Sequence, residues 1–212
     1  MIARGAITGL VLCGGRGSRM GGLDKGLQVF QGQPLAARAL ERLRPQVGPL
    51  MISANRNTDA YGVWGVPVVV DPLPGHPGPL AGLLAGLQRC ETEWLACVPC
   101  DAPWFPLDLV ARLAEAASTA GTACAVAVSL PQQQMQPVFA LAHRRLRDDL
   151  HAALLRGELK AGLWWRKVGA ARAGFGETAE AGPAVAVCAN ADPRPGIISA
   201  FANLNTLDDL RG

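Results

Sequence analysis

The sequence predicts a three-layer α/β fold in which helices cover both faces of a mostly parallel sheet. Short apolar runs, typical of strands buried on both faces, alternate along the chain with helical patterns. Parallel sheets are built from this alternation of strand and helix. The four clearest strands are Ala6 to Cys13, Leu50 to Ala54, Val66 to Val70 and Trp94 to Val98.

Three helices follow from apolar residues at helical spacing. Leucines at i, i+3, i+4 and i+7 predict a helix from Gly78 to Cys90. Another begins after Pro106, and a third includes Leu150. Residues 170–196 differ, because they are rich in Ala, Gly and Pro and contain only one weak strand signal, Ala184 to Cys188. We expect that stretch to be a surface excursion.

The composition favours a single compact domain and argues against nucleic-acid and membrane partners. With 212 residues, 50% of them apolar and 17% charged, the chain suits one compact domain with a substantial core. A net charge of +3 without a run of Lys or Arg, together with only 5% aromatic residues, argues against nucleic acid as a partner. No apolar stretch approaches the ~18 residues needed to cross a bilayer, so we expect a cytoplasmic protein with no membrane partner.

A glycine-rich loop follows the first strand and reads LVLCGGRGSRMGGLDKG from Leu10 to Gly26. Its glycines, which let backbone N–H groups approach an anion closely, are Gly14, Gly15, Gly17, Gly21, Gly22 and Gly26. Arg19 and Lys25 add positive charge there, as a triphosphate site requires. Met20 stands where a dinucleotide-binding turn needs its third glycine, and the loop lacks a P-loop motif.

Two carboxylates come directly after buried strands: Asp71 follows Val70, and Asp101 follows the run WLACVPC. Because ligands bind at the carboxyl ends of parallel strands, we expect both beside the glycine loop. Mg²⁺ bound to phosphates usually takes one or two protein carboxylates. Asp101 is therefore the predicted Mg²⁺ ligand, and Asp71 is either a second ligand or a nucleotide contact.

Three glycines recur every four residues on one helix face, at Gly78, Gly82 and Gly86. Glycine inside a helix costs ~0.5–1 kcal/mol relative to Ala, so a stripe of glycines indicates close approach of another group. That group is either a neighbouring backbone or the nucleotide, which would then lie against Gly78, Leu80 and Gly82.

Cys97 and Cys100 have the spacing of a redox or metal motif. No second CxxC or pair of histidines completes a zinc site. We favour a buried strand end over the metal or redox alternative.

Six segments form an ordered set over nearly the whole chain: LCGGRGSRMGGLDKGL at 12–27, SANRN at 53–57, GPLAGLLAGL at 78–87, PCDAP at 99–103, QPVFAL at 136–141 and FANLNTLDDL at 201–210. Together they resemble the molybdenum cofactor guanylyltransferase family. The resemblance implies a nucleotide-diphospho-sugar transferase-like, Rossmann-like fold in a single domain. A nucleotide-binding part would span about 1–105 and a pterin-substrate part about 106–212.

The resemblance also implies an activity and its partners. GMP would pass from GTP to the phosphate of molybdopterin, with release of pyrophosphate and with Mg²⁺ as cofactor. Molybdenum-insertion and cofactor-delivery proteins are the expected protein partners, and we expect a monomer.

Site residues carry over motif by motif. The resemblance and the loop chemistry make Arg19, Lys25 and Asp101 the expected catalytic residues, with Asp101 on the metal. Asn203 and Asn205 match the family's asparagine pair and would face the pterin, unless they cap a helix. The full set expected to contact nucleotide or pterin is Leu12, Cys13, Gly14, Gly15, Gly22, Lys25, Ser53, Asn55, Asp71, Gly78, Leu80, Gly82, Asp101, Asn203 and Asn205.

The chain departs from the family's pattern at three places. Cys13 replaces the commoner alanine, which should leave the backbone contact intact. Ser53 stands where some relatives have an asparagine that contacts the nucleotide, so either Ser53 or Asn55 supplies that contact. Residues 170–196 match no family motif.

Three other functions stay open. A cytidylyltransferase branch uses CTP on the same fold and tends to read LAAG where this chain reads LCGG, and Gly14 favours guanine because it leaves room for a purine. A non-catalytic adaptor that binds nucleotide and delivers cofactor would not need Arg19, Lys25 and Asp101 together. A sugar-phosphate nucleotidyltransferase would use a sugar 1-phosphate in place of the pterin.

Overall fold

A computed structural model describes residues 1–14, 23–73, 78–176, 201–204, 206 and 209. Seven strands form one mixed sheet in the order β5-β4-β1-β6-β8-β7-β9. Six of them run in the same direction, and β8 runs opposite to its neighbours β6 and β7. The strands of this sheet are β1 (Ile7–Leu12), β4 (Leu50–Ser53), β5 (Val68–Val69), β6 (Trp94–Pro99), β7 (Cys124–Ser129), β8 (Gln134–His143) and β9 (Ala171–Phe175).

Helices cover both faces of the sheet, as the sequence predicted. On one face α1 (Leu35–Leu43) and α4 (Leu109–Ala120) pack in a core cluster with Ile7 and Val11 of β1. On the other face α3 (Pro79–Arg89), α5 (Arg147–Leu155) and α6 (Ala161–Lys167) pack against Leu10 and Leu12 of the same strand. Alternate residues of β1 thus serve opposite cores, and the predicted three-layer fold is confirmed.

Two short elements lie near the carboxyl ends of the parallel strands. A hairpin of β2 (Val29–Phe30) and β3 (Gln33–Pro34) leads into α1, and α2 (Thr58–Gly62) follows β4. Within the described ranges, no helix combines the length and hydropathy needed to cross a bilayer.

The expected surface excursion at 170–196 is wrong at its beginning, because residues 171–175 form β9. This strand pairs in parallel with β7, and its Ala173 and Phe175 are buried. β7 offers an open edge whose backbone groups need partners, so pairing there outweighs the weak strand preference of the sequence ARAGF. The weak strand expected at Ala184 to Cys188 lies outside the described residues.

Candidate active site

A cleft of about 360 Å³ lies at the carboxyl ends of β5, β4, β1 and β6. This is the edge at which parallel sheets bind ligands. Ten residues expected from the sequence line it: Leu12, Cys13, Gly14, Lys25, Ser53, Asn55, Asp71, Gly78, Gly82 and Asp101. The structure therefore brings together residues that lie up to 89 positions apart in the sequence.

The cleft also has lining residues that the sequence reasoning did not select: Pro79, Pro99, Cys100 and Val138. Two of them, Pro79 and Cys100, stand next to a selected residue in the chain, and all four lie within the six segments named in the sequence. Leu80 does not line the cleft, because it is 1% exposed and packs in the core under α3. Gly15, Arg19, Gly22 and Asn205 lie outside the described residues.

At one end of the cleft, Lys25 and Asp101 form an ion pair. Lys25 Nζ donates a hydrogen bond of 2.6 Å to Asp101 Oδ2, and the two side chains are 23% and 18% exposed. The other carboxylate oxygen, Asp101 Oδ1, is buried and has no hydrogen-bond partner among the described residues. A buried charged oxygen without a partner is costly, so this atom is suited to a cation or a ligand donor.

At the other end of the cleft, Asn55 and Asp71 make a two-point contact. Asn55 Nδ2 donates to Asp71 Oδ2 over 2.6 Å, and the Asp71 backbone N–H donates to Asn55 Oδ1 over 2.8 Å. Both residues are half-buried and follow neighbouring strands, β4 and β5. The cleft thus has one carboxylate at each end, and each carboxylate is held by a different polar side chain.

The chain is similar to known proteins over its whole length. A family model for the MobA-like NTP transferase domain matches residues 9–173. The molybdenum cofactor guanylyltransferase of Ralstonia nicotianae is 47% identical over 218 residues, which cover 100% of this chain and 97% of that protein. The enzyme of the same name from Cupriavidus necator is 48% identical over 214 residues, covering 100% and 98%. The chain belongs to the molybdenum cofactor guanylyltransferase family.

A solved structure shows the same fold at low sequence identity. Molybdopterin-guanine dinucleotide biosynthesis protein A from Archaeoglobus fulgidus superposes with a TM-score of 0.67 at 19% identity. The superposition covers 96% of this chain and 95% of that one. The nucleotidyltransferase fold expected from the motifs is therefore confirmed.

In this guanylyltransferase-family chain, the residue before Lys25 is Asp24, whose buried carboxylate is held by neighbouring side chains. Asp24 is 8% exposed and accepts hydrogen bonds from Tyr61 Oη over 2.5 Å and from Asn57 Nδ2 over 2.9 Å. Arg56 Nε lies 3.6 Å from the same carboxylate. Burial, followed by the nearby acidic groups, raises the pKa of Tyr61, so its hydroxyl remains a donor. No motif or spacing in the sequence points to this network.

Cys13, beside the glycine loop, behaves as a small apolar residue. It is buried, and burial together with a hydrogen bond to the Cys100 side chain raises the pKa of its thiol well above the usual range. Its backbone N–H donates to the Ser53 carbonyl over 2.8 Å, which joins β1 and β4 beyond their last paired residues. A neutral thiol at this position leaves the backbone of the cleft floor in place.

The CxxC motif does not form a site. Cys97 is buried in the core on the α3 side of the sheet, whereas Cys100 is buried in the core on the α1 side. Burial raises the pKa of Cys97 to about 12, so its thiol is neutral. No group of three or more potential metal-binding side chains occurs within the part of the chain that the structure describes.

The three glycines Gly78, Gly82 and Gly86, at the start of α3 and within it, have two different surroundings. Gly78 has a positive φ of 91°, precedes the helix and lies open at the cleft. At Gly82, a Cβ atom would come within 2.6 Å of Ser53 Oγ and 2.8 Å of Leu12 Cδ2. At Gly86, a Cβ atom would come within 2.7 Å of Leu10 and 2.8 Å of Leu95. The groups that approach the helix at these two positions are therefore side chains of the sheet.

A segment from the far end of the chain reaches Asp101. The Leu204 backbone N–H donates to the Asp101 carbonyl over 2.8 Å, and the Leu204 side chain packs with Phe30, Leu35 and Trp104. Asn203, one of the two asparagines expected to face the pterin, does not line the cleft described above. Its Oδ1 atom is buried without a hydrogen-bond partner among the described residues.

Proposed function

We propose that this protein transfers GMP from GTP to the phosphate of molybdopterin, which yields the guanine dinucleotide form of the cofactor and pyrophosphate. The observation that carries the proposal is the Lys25–Asp101 pair at one end of a cleft long enough to span four strand ends. The names of relatives at 47–48% identity over the whole chain support the same reaction.

The reaction joins two anions, and its main barrier is electrostatic. An oxygen of the molybdopterin phosphate attacks the α-phosphorus of GTP, and the bond from that phosphorus to the bridging oxygen of the β-phosphate breaks. The electron pair leaves with pyrophosphate. Because the nucleophile is already an anion, no side chain has to remove a proton. The chain's task is to orient the two phosphates and offset their charge.

Lys25 is suited to that task because it is held in the cleft by Asp101 and by the segment that Asp24 anchors. A fixed ammonium group beside the phosphates stabilises negative charge that develops in the transition state. We infer that Arg19 and the glycine-loop N–H groups act in the same way.

We propose Mg²⁺ as the cofactor, with Asp101 as its protein ligand. Asp101 Oδ1 supports this, since it is a buried carboxylate oxygen that no described residue satisfies, and carboxylate oxygen is a preferred ligand of Mg²⁺. When bound, Mg²⁺ would offset charge on the transferring and leaving phosphates. With Asp101 on the metal, Lys25 would still be held in the cleft by its neighbour Asp24, which Tyr61 and Asn57 bind.

The remaining expectations about the protein's surroundings are also proposals. We propose that residues after about 106, including Asn203, contact the pterin, and that the enzyme works in the cytoplasm as a monomer. Molybdenum-insertion and cofactor-delivery proteins would supply the acceptor and receive the product. Light scattering during gel filtration measures the oligomeric state directly, and a dimeric mass contradicts the monomer.

The decisive test measures pyrophosphate release from GTP, CTP, ATP and UTP, each with molybdopterin and Mg²⁺. We expect release with GTP and at least tenfold less with the other nucleotides. A preference for CTP would assign the protein to the cytidylyltransferase branch. Binding of GTP without pyrophosphate release would identify an adaptor, and release only with a sugar 1-phosphate would replace the acceptor.

A further inference from the structure

Asn55 uses both ends of its amide on one neighbour, Asp71. Its Nδ2 donates to the Asp71 carboxylate over 2.6 Å, while its Oδ1 accepts from the Asp71 backbone N–H over 2.8 Å. An amide oriented by two bonds of opposite sense has a fixed flip state and a fixed rotamer. Asn55 therefore orients Asp71, and Asp71 is the charged member of this pair and lines the cleft.

The contact between Asn55 and Asp71 joins the chain after β4 to the chain after β5, beyond the last paired residues of the two strands. β5 contains only Val68 and Val69, and its last backbone bond to the β4 side runs from Ala54 N to Val69 O over 3.0 Å. Asp71 lies two residues further on, after the exposed Val70. The two bonds from Asn55 hold the Asp71 backbone and side chain to the end of β4, where the sheet no longer does.

Asp71 lies at the opposite end of the cleft from the Lys25–Asp101 pair. Three strand spacings of about 4.8 Å separate β5 from β6, which gives roughly 14 Å across the strand ends. If the triphosphate lies at Lys25 and Asp101, an extended nucleotide places its base near Asp71. Guanine presents two adjacent donors, N1–H and the 2-amino group, and one carboxylate can accept both in parallel.

We propose that Asn55 is a positioning residue for base selection: it fixes the Asp71 carboxylate in the orientation that accepts from both guanine donors. The inference rests on the proposed function, because it needs GTP to lie with its phosphates at Lys25 and Asp101. Asn55 does not touch the nucleotide in this arrangement. Loss of the Asn55 amide lets the Asp71 carboxylate move. The affinities for purine nucleotides with and without the 2-amino group then become similar.

Inosine triphosphate, which lacks only the 2-amino group, tests the proposal. We measure dissociation constants for GTP and ITP by calorimetry with Mg²⁺ and without molybdopterin, so that turnover is not needed. One hydrogen bond to a charged group corresponds to a roughly 10- to 100-fold preference of the wild-type protein for GTP over ITP. In Asn55→Ala we expect the preference to fall below about threefold, because GTP binding weakens more than ITP binding.

The matched control is Asn57→Gly, which removes an amide from the same loop that holds Asp24 instead of Asp71. Glycine adopts the positive φ of 52° found at Asn57, so this change adds no backbone strain. We expect it to weaken GTP and ITP equally and to leave the preference unchanged. Should Asn55→Ala fold poorly by circular dichroism, Asn55→Ser serves, because its shorter side chain cannot make both contacts.

A double-mutant cycle completes the test. Once Asp71→Ala has removed the carboxylate, adding Asn55→Ala should change the GTP-to-ITP ratio by less than twofold. A wild-type-like ratio in Asn55→Ala, equal affinity of the wild type for GTP and ITP, or additive effects of the two changes would each overturn the role of Asn55 and leave pyrophosphate release from GTP intact. Failure of the wild type to bind GTP overturns both proposals.

Discussion

The Tyr61 hydroxyl offers a direct measure of how much the buried Asp24 carboxylate depends on its neighbours. Tyr61 is 0% exposed, Asp24 is 8% exposed, and their hydrogen bond is 2.5 Å long. Tyr61→Phe deletes this donor and leaves the ring in place. A hydrogen bond to a charged group contributes about 1.5–3 kcal/mol, so we expect the free energy of unfolding to fall by that amount. For a domain of this size the midpoint of thermal unfolding should fall by roughly 3–12 °C.

Urea denaturation followed by tryptophan fluorescence measures the loss. Asp24→Asn provides the comparison, because Tyr61→Phe should cost less than about 1 kcal/mol in that background, where no charge needs the donor. A second readout is the KM for GTP, which should rise in Tyr61→Phe as the segment before Lys25 loosens. A loss of stability below about 0.5 kcal/mol would refute the reasoning, since it would mean that Asn57 and Arg56 suffice for the Asp24 carboxylate.

Three further predictions concern the cleft and the core. Asp101→Ala should abolish pyrophosphate release while circular dichroism remains that of the wild type, and near-normal turnover would remove Asp101 from the mechanism. Gly82→Ala and Gly86→Ala should each cost about 1–3 kcal/mol from overpacking, reduced by about 1 kcal/mol because Ala favours the helix. Only Gly82→Ala should also weaken GTP binding, because only Gly82 of the two lines the cleft; equal binding by both variants would contradict this. Burial raises the pKa of Cys97 and Cys124 from 9.0 to about 12, so the folded state keeps protons that the unfolded state loses. Unfolding free energy should therefore fall between pH 9 and 12, and the fall should be smaller in Cys124→Ala than in the wild type.

The positions of Gly14, Asp71 and Asp101 could be predicted from the sequence because they depend on one rule. Each lies two residues past the end of a parallel strand, directly after an apolar run, and such strands all end at the same edge of the sheet. The rule needs only the apolar runs and the residue after each. It does not depend on which strands are neighbours, and so it worked without knowledge of the strand order.

The Asp24 network and the Asn55–Asp71 contact could not be predicted in this way. Asp24 meets Tyr61 because α2 begins at Thr58, directly after Asn57, which is in the left-handed conformation. No pattern in the sequence predicts the left-handed conformation of Asn57. The contact between Asn55 and Asp71 requires β4 and β5 to be neighbours. β5 has only two residues, too few for its pairing with β4 to be predicted from the sequence.

The strand β9 illustrates a different limit. Its sequence, ARAGF, contains two alanines and a glycine, which are depleted in strands, and it becomes a strand because β7 presents an unpaired edge. The sequence around 171–175 contains no information about that edge. Local residue preference predicted a surface excursion at 171–175, whereas pairing with β7 made these residues a strand.

The hydrogen bond from Leu204 to the Asp101 carbonyl also has a consequence for synthesis on the ribosome. The strands that place Asp101, from β1 to β6, are translated about 100 residues before Leu204. At 5–20 residues per second, a growing chain spends roughly 5–20 s with these strands made and this backbone partner still missing. During that interval Phe30, Leu35 and Trp104 have no Leu204 to cover them. A chaperone that recognises apolar surface can bind these side chains during that interval.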